Sequence, residues 1–569
     1  MAQHQGGVAH SSGRVTGDVD VRNPLDVGAA AGDETLVGFG LDHGADLLAA
    51  GHVVAVDVVH PIFGPEVCDF AGAPGVHEWP VGADQSGDVA LVCEQLKQVI
   101  HGFIVASTSP KVLSLNPGCN LGEVTTRVLN LGFRHPQQQL PLGHVRTLVI
   151  GSGGREHALV MALARDLGAE VHAAPGNPGM SSVAQLHDVD PMDGQAVAQL
   201  AQHIEADLVV IGPEAPLVAG VADQVRAKGI AVYGPSAKAA QLEGSKAFAK
   251  DVMAAAGVPT ARAAVCTSAA EVEAALDEFG APYVVKDDGL AAGKGVVVTT
   301  DRQEALDHAA QCGRVVVEEF LHGPEFSIFA VCDGQTARAL QPSQDFKRIF
   351  DGGRGPNTGG MGSYSPLPWV SAEVVEEVLS RVVQPTLDEM NRRGAPFIGT
   401  LYVGLALTAQ GPKVIEFNCR FGDPDTQPVL ALLTSSLGDL LHGAAQGRLA
   451  EVPAPTFAEG GAVTVVMASA GYPEGASKGD VIIGSETLTK EHDVNVIHAG
   501  TALVNGELVT AGGRVLTVTA VGSSIADARA KAYEGISSIA FPGAQWRRDI
   551  AAEPLGVIEG AALITEESQ

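Results

Sequence analysis

Positive charge is scarce in this chain. Lys and Arg total 36 against 66 Asp and Glu, a formal net charge of −30. A nucleic-acid partner is therefore disfavoured, and any anionic substrate must be captured by a local cluster of donors. Aromatic residues make up only 5% while hydrophobic residues reach 46%, the balance of an Ala/Val/Gly-rich soluble α/β protein rather than a disordered one. No apolar run is long enough to cross a bilayer, which leaves no membrane partner to expect. The N-terminal MAQHQGGVAH lacks a basic segment followed by an apolar one, so nothing marks the chain for secretion and a cytoplasmic location is expected. Cys68, Cys93, Cys119, Cys266, Cys312, Cys332 and Cys419 are scattered, odd in number and without a CxxC pair, which disfavours a disulfide framework or a structural zinc site.

At 569 residues the chain is too long for one core and is expected to hold three or four domains. Residues 1–144 show no sustained helical or strand period. Their histidines are spread without metal-ligand spacing. Periodicity begins at 146, where RTLVIGSGGREHALVMALAR reads as a buried strand, a glycine turn and an amphipathic helix starting near Glu156. Gly151, Gly153 and Gly154 allow backbone N–H groups to face a ligand at the helix N-terminus. Glu156 stands where a dinucleotide fingerprint needs glycine, so a dinucleotide oxidoreductase is disfavoured. Strand, turn and helix then repeat through EVHAAPGNPG, DLVVIGPEAPLVAGVADQVRAKG and IAVYGPS. This rhythm predicts an open doubly wound parallel sheet, with the loops Gly151 to Arg155, Pro175 to Gly179 and Gly212 to Pro216 gathered at the carboxyl ends of the strands.

After QLEGSKAFAKDVMAAAGVPT, expected to be one helix ended by Gly257 and Pro259, the pattern changes. YVVKDDGLAAGKGVVVTT is strand, glycine-rich turn, strand. It is not a Walker A loop, because no helix follows the glycines. Gly289, Gly293 and Gly295 can fold over phosphates, with Lys286 supplying charge from the strand below. Glu318, Glu319 and Glu325 in RVVVEEFLHGPEFSIFAV would repel one another on an ordinary surface, which points to a polar ligand between them, against the plainer reading of exposed carboxylates on an edge strand. Residues 341–366 read as a long functional loop, followed by a helix near 371–394. In PKVIEFNCRFGDPDTQP, a short strand is expected to present Glu416, Asn418 and Arg420 on one face. A carboxylate and an amide oxygen side by side are hard ligands for Mg²⁺, and a guanidinium beyond them can fork onto phosphoryl or carboxylate oxygens. Cys419 points the other way, into the core. From about 449 a linker leads to an α+β module with few candidate catalytic groups.

Taken together, GSGGREHAL, GPEAPL, QLEGSKAFAKD, VVKDDGLAAGKGV, VVEEFLHGPEFS, PNTGGMGSYSP and IEFNCRFGDPDTQP resemble the phosphoribosylamine–glycine ligase family, also called glycinamide ribonucleotide synthetases, of the ATP-grasp superfamily. The resemblance runs from about Arg146 to about residue 552. It implies an α/β molecule: an open doubly wound N-terminal substrate-binding domain (145–245), a two-lobed ATP-grasp fold (246–448, flap lobe about 259–325) and a C-terminal α+β domain (449–565). Residues 1–144 have no counterpart in the family and are expected to be a dispensable, poorly ordered extension or no part of the native enzyme.

For chemistry, the resemblance implies ATP between the lobes. Lys246 and Lys286 would lie on its phosphates under Gly289, Gly293, Lys294 and Gly295. Glu318 and the backbone of Glu319, Phe320 and Leu321 would hold adenine, and Glu325 the ribose. Glu416 and Asn418 would bind Mg²⁺ or Mn²⁺. Glycine and 5-phosphoribosylamine would be joined through glycyl phosphate, with Arg420 and Lys286 as catalytic groups. Substrates would be gripped by Gly151, Gly153, Gly154, Arg155, Glu156, Pro175, Gly176, Asn177, Gly212, Pro213 and Glu214, and by Asp345, Asn357, Gly359, Gly360, Met361, Gly362 and Asp423. A monomer or weak homodimer is implied. Asp287 and Phe346 depart from the pattern, where many relatives carry a small residue and His. Neither removes a phosphate or metal ligand, so they bear on fine specificity. The rival readings are another ATP-grasp ligase with altered substrate loops and a catalytically silent nucleotide-binding protein on the same fold.

Overall fold

The structure, a computed structural model, describes residues 145–290, 295–485, 488 and 494–552. The expectations for residues 1–144 and for Gly293 and Lys294 lie outside the described residues.

The first sheet is built from β1 (Arg146–Gly151), β2 (Glu170–Pro175), β3 (Gln185–Leu186), β4 (Leu208–Ile211) and β5 (Ala231–Tyr233), in the order β3-β2-β1-β4-β5. Every pairing is parallel. Leu148 and Ile150 enter one core and Val149 the other, because a parallel strand is covered on both faces. The strand order reverses at β1, so β1 and β4 diverge there and leave a crevice at their carboxyl ends.

The stretch expected to be one long helix is two. Gln241–Gly244 is a single turn, and Ser245, with its hydroxyl accepting from Phe248 N at 3.1 Å, caps the new helix Lys246–Ala256. Gly257, at φ +67, closes that helix in the left-handed conformation that glycine adopts freely. The flap lobe follows: β6 (Ala263–Cys266), β7 (Tyr283–Asp287), β8 (Val296–Thr299) and β9 (Val315–Glu318), antiparallel in the order β6-β9-β7-β8. Helices Ala269–Phe279 and Arg302–Ala310 cover one face, where Cys266, Val272, Leu276, Val285 and Val317 pack together.

From 325 to 418 the chain forms β10 (Glu325–Asp333), β11 (Ala337–Ala339), β12 (Gln344–Asp345), β13 (Arg348–Phe350), β14 (Arg354–Asn357), β15 (Gly362–Ser365), β16 (Ile398–Thr408) and β17 (Gly411–Asn418). Residues 341–366 are therefore not a long loop, as expected, but four short strands. β9 and β10 belong to different sheets, so Glu319–Pro324 crosses between lobes. β11-β10-β16-β17 form the large-lobe sheet. The helices Ala372–Val378 and Gln384–Arg392, joined by a π-helical turn, follow β15 in the chain.

The C-terminal strands are β18 (Gly461–Ala468), β19 (Val494–His498), β20 (Thr501–Val504), β21 (Glu507–Thr510) and β22 (Arg514–Gly522). The segment NVIHAGTALV holds both β19 and β20, and among the described residues DVIIG makes isolated bridges at Val481 and Ile483. One sheet runs β12-β15-β18-β22-β19, with helix Ile525–Ser538 packed against it. A boundary at 449 therefore does not separate the sheets: β12 and β15, from within the expected ATP-grasp stretch, extend the C-terminal sheet. The segment expected as a linker is held in place. Leu449 and Val452 are buried, Leu449 N donates to Asp333 Oδ2 at 3.0 Å, and Ala458 N donates to Leu432 O at 2.8 Å.

Candidate active site

Four charged side chains meet beneath the flap. Lys286, on β7 and 4% exposed, donates from Nζ to Ile415 O at 2.9 Å and pairs with Glu318 Oε2 at 2.9 Å. Glu318 gives its other oxygen to Lys250, 3.0 Å away. Lys246, in the first turn of its helix, donates to Asp287 O at 2.8 Å and Gly289 O at 2.9 Å, which ties the helix to the base of the flap. Burial pushes the Lys246 ammonium down, against the pull of the Glu416 carboxylate. The expectation that three glutamates repel one another around a ligand is corrected, because each has its own cation. Glu318 has the two lysines, Glu319 has Arg262 at 2.8 Å, and Glu325 has Lys347 at 3.0 Å.

Opposite lies β17. Its pairing with β16 slips once: Gly404 faces Glu416, but Leu405 faces Val414. Ile415 is the extra residue of a β-bulge. The slip lets Val414, Phe417 and Cys419 all point into the core, at 0%, 3% and 2% exposure, while Glu416 and Asn418 stay together on the other side. It also frees the Ile415 carbonyl to receive Lys286. Asn418 Nδ2 lies 3.5 Å from Glu416 Oε1. Two adjacent oxygen donors suit a hard divalent cation that draws its remaining ligands from phosphates and water. Among the described residues, no cluster of three or more His, Cys, Asp or Glu forms a competing metal site.

Arg420 follows β17 rather than sitting within it. Its guanidinium reaches Glu243 at 3.0 Å and Glu214 at 3.3 Å, from the segments after and before β5 respectively. Burial alone would lower its pKa, but these two carboxylates outweigh it and hold the charge firmly. Burial raises Glu214 in turn, yet Arg420 and Arg155 bring it below the usual carboxylate range. Burial dominates at Glu243, which is raised.

In the crevice between β1 and β4, Glu156 occupies the space that a nucleotide-binding glycine would leave open. Its Oε2 accepts from Gly153 N at 2.7 Å, and its other oxygen accepts from Arg155 Nε. A Cβ on Gly212 would stand 2.1 Å from Glu156 Oε1, so a side chain there would displace the Glu156 carboxylate. Arg155 also donates to Phe421 O at 3.1 Å. Gly176 N donates to Gly151 O at 3.2 Å, and the Asn177 amide bridges Ser152 O and His498 O, both at 2.9 Å. Pro175 ends β2 and Pro213 precedes the short helix Glu214–Val218.

Asp423 lies beside the same turn. Burial raises its carboxyl, but Arg514, Arg155 and the Gln427 amide outweigh it and hold it low. Arg514 pairs with Asp423 at 3.3 Å and donates to Gly359 O at 2.6 Å. Around the 357–362 turn, Gly359 N donates to Tyr472 Oη at 3.0 Å, Gly360 N to Thr358 Oγ1 at 2.9 Å and Met361 N to Phe346 O at 2.7 Å. Asp345 pairs with Lys347 at 3.1 Å. Phe346, one of the two departures, is buried under the Arg547 guanidinium, 5.0 Å from its ring centre.

The expected residues thus gather in two neighbouring regions, one between the lobes and one where the N-terminal sheet, Asp423 and the C-terminal sheet converge. Sequence reading missed Lys250, Glu243 and Arg514. Lys250 had a signal, since it lies four residues after Lys246 and therefore on the same helix face. Arg514 had none, because nothing local marks a residue that reaches across to Asp423. The C-terminal module, expected to be poor in functional groups, supplies Arg514, Tyr472 and His498 to this region.

A flap lobe and a large-lobe sheet enclosing lysines opposite a Glu-x-Asn strand define an ATP-grasp protein. The family models agree in order and extent: phosphoribosylglycinamide synthetase N domain over residues 145–243, ATP-grasp (A) domain over 244–426 and C domain over 462–553. The chain belongs to the phosphoribosylglycinamide synthetase family. It is 58% identical over 415 residues to the phosphoribosylamine–glycine ligase of Streptomyces coelicolor, covering 72% of this chain and 100% of that one. It is 54% identical over 417 residues to that of Mycobacterium bovis, covering 71% and 97%. Among solved structures, the phosphoribosylamine–glycine ligase of Thermotoga maritima superposes with a TM-score of 0.63 at 34% identity, over 71% of this chain and 100% of that one. The biotin carboxylase domain of Hydrogenobacter thermophilus 2-oxoglutarate carboxylase shares the fold alone, with a TM-score of 0.53 at 17% identity over 70% and 91% of the two chains.

Proposed function

We propose that this chain joins glycine to 5-phosphoribosylamine at the expense of ATP, giving glycinamide ribonucleotide, ADP and phosphate in purine nucleotide synthesis. The observation that carries this reading is Lys286 reaching from the flap lobe to Ile415 O at 2.9 Å, beside Glu416, with Lys246 held at the base of the flap and Arg420 further along the same segment as Glu416.

In this reading a glycine carboxylate oxygen attacks the γ-phosphorus of ATP, and the bond to the β–γ bridging oxygen breaks to release ADP. The phosphoribosylamine nitrogen then attacks the carbonyl carbon of glycyl phosphate, phosphate leaves, and the nitrogen loses its proton. The protein contributes position and charge rather than covalent chemistry. Lys246 and Lys286 lie on the phosphates, under Gly289 and Gly295. Glu318 and the backbone of Glu319 to Leu321 take adenine; each Glu318 oxygen keeps a lone pair for a further donor after its lysine. Glu325 takes the ribose. Glu416 and Asn418 would hold Mg²⁺ or Mn²⁺, which when bound neutralises phosphate charge. Arg420, fixed by Glu214 and Glu243, turns a guanidinium to the acyl phosphate. Asp345, Asp423, the 357–362 turn and the glycine turns of the first sheet hold glycine and the phosphoribosyl group.

A cytoplasmic location, a monomer or weak homodimer, and no nucleic-acid or membrane partner go with this reading. Among the described residues no helix is long and apolar enough to cross a membrane. The test is ADP release in the presence of freshly generated phosphoribosylamine. Release that requires both glycine and the amine is expected. Release indifferent to glycine, or driven equally by another amino acid, would overturn the assignment.

A further inference from the structure

Lys250 has no part in the chemistry above, yet its placement is costly enough to need a reason. Its side chain is 11% exposed, and its ammonium is fully engaged: Thr260 Oγ1 at 2.9 Å, Ala261 O at 3.0 Å and Glu318 Oε1 at 3.0 Å. Glu318 and Lys286, 3% and 4% exposed, complete a row of three buried charges, with Lys286 2.9 Å from the second carboxylate oxygen. Desolvating three charged groups is expensive. A Lys286–Glu318 pair alone would satisfy both groups at lower cost.

The arithmetic of charge separates the two arrangements. A Lys286–Glu318 pair is neutral, and an ammonium already matched by a carboxylate attracts phosphate weakly. With Lys250 on the other oxygen the row sums to one positive charge. Among the described residues, Lys286 then uses two of its three N–H donors, on Glu318 and Ile415 O, which leaves one for an incoming oxygen. The surrounding burial lowers the local dielectric and strengthens that excess charge. The row is also fastened to the large lobe, since the Thr260 hydroxyl that receives Lys250 donates to Val414 O at 2.6 Å and Val414 N donates to Pro259 O at 2.8 Å.

We infer that Lys250 is a positioning residue that offsets Glu318, so that the positive charge of Lys286 stays available to the phosphates of a nucleotide. This rests on the nucleotide reading given above. The test compares a charged and an uncharged ligand, ADP and adenosine, on the full chain and on the variants K250M, E318Q and K250M/E318Q. Binding is followed by calorimetric competition or ligand-observed NMR, and folding by circular dichroism. K250M is expected to weaken ADP about tenfold or more, with adenosine changed by less than about threefold. The double variant, whose charge sum returns to one, is expected to bind ADP more tightly relative to adenosine than K250M does. Should K250M not fold, the step from E318Q to the double variant makes the same comparison, and ADP alone is expected to weaken. Equal losses for both ligands, or no recovery in the double variant, would overturn the inference and mark Lys250 as support for the fold. A wild-type chain that fails to bind ADP at all would overturn the nucleotide reading, and this inference with it.

Discussion

Glu416 and Asn418 share one face by strand alternation, and the bulge at Ile415 keeps Val414 off that face, so both can be removed without disturbing the core on the other side of the strand. Glu416→Ala and Asn418→Ala are each expected to leave the melting temperature within about 2 °C of the parent and to lower kcat/KM on the order of 100-fold at low Mg²⁺, with partial recovery at saturating Mg²⁺. Near-normal turnover in both variants would remove the metal role. A second residue-scale expectation concerns acid. His157 Nδ1 accepts the His498 backbone N–H at 2.8 Å, which joins the first helix to β19. Burial, then the His498 ring, pushes His157 down to about 3, and burial pushes His498 to about 4. Both folded values lie below the unfolded value of about 6.5, so the unfolded chain binds more protons once the pH falls below that. Stability present at pH 7.5 is then lost progressively on acidification, by about 2 kcal/mol per histidine at pH 5. Denaturant titrations at both pH values should show the loss, and His157→Asn should shrink it by the share of one histidine. A pH-independent midpoint would contradict these shifts.

At the scale of elements, the bulge on β17 does two things at once. It sorts Val414 and Phe417 from Glu416, and it turns a carbonyl out of the ladder toward Lys286. Deleting Ile415 would leave a regular ladder, with Val414 and Glu416 still facing their present partners, but without that acceptor. The expected result is a folded protein with the KM for ATP raised about tenfold, the effect of a lost hydrogen bond to a charged group. An unchanged KM would show that Lys286 does not depend on the bulge. Long β-branched strands such as RTLVIG and LVVI were legible from sequence, as was the parallel sheet that they and their helices form. The four strands within 341–366 were not. They are two to four residues long, too short to show a strand period, and β15 finds its partner β18 about a hundred residues later, so local periodicity carries no trace of it. Lys250 was overlooked for a different reason: its meaning depends on Glu318, which is brought to it only by the folded flap sheet.

For the molecule as a whole, the described residues form one interlocked body from Val145 onward, in which the C-terminal sheet borrows β12 and β15 from the middle of the chain. β1 has its neighbours on both sides from β2 and β4, so its backbone needs nothing from upstream. A chain beginning at Val145, with Val145→Met, is accordingly expected to match the full chain in melting temperature and in turnover. A large loss of either would show that residues 1–144 contribute to the enzyme.

The measurement that reaches the central claim most directly follows the oxygen atoms of glycine. If the carboxylate attacks the γ-phosphorus and the amine then expels phosphate, glycine labelled with ¹⁸O in its carboxylate hands one labelled oxygen to each phosphate released. Mass spectrometry of the phosphate from a reaction with labelled glycine, ATP and phosphoribosylamine should find that single label in step with ADP. Phosphate carrying no label, with glycinamide ribonucleotide or any other product accumulating, would contradict the account.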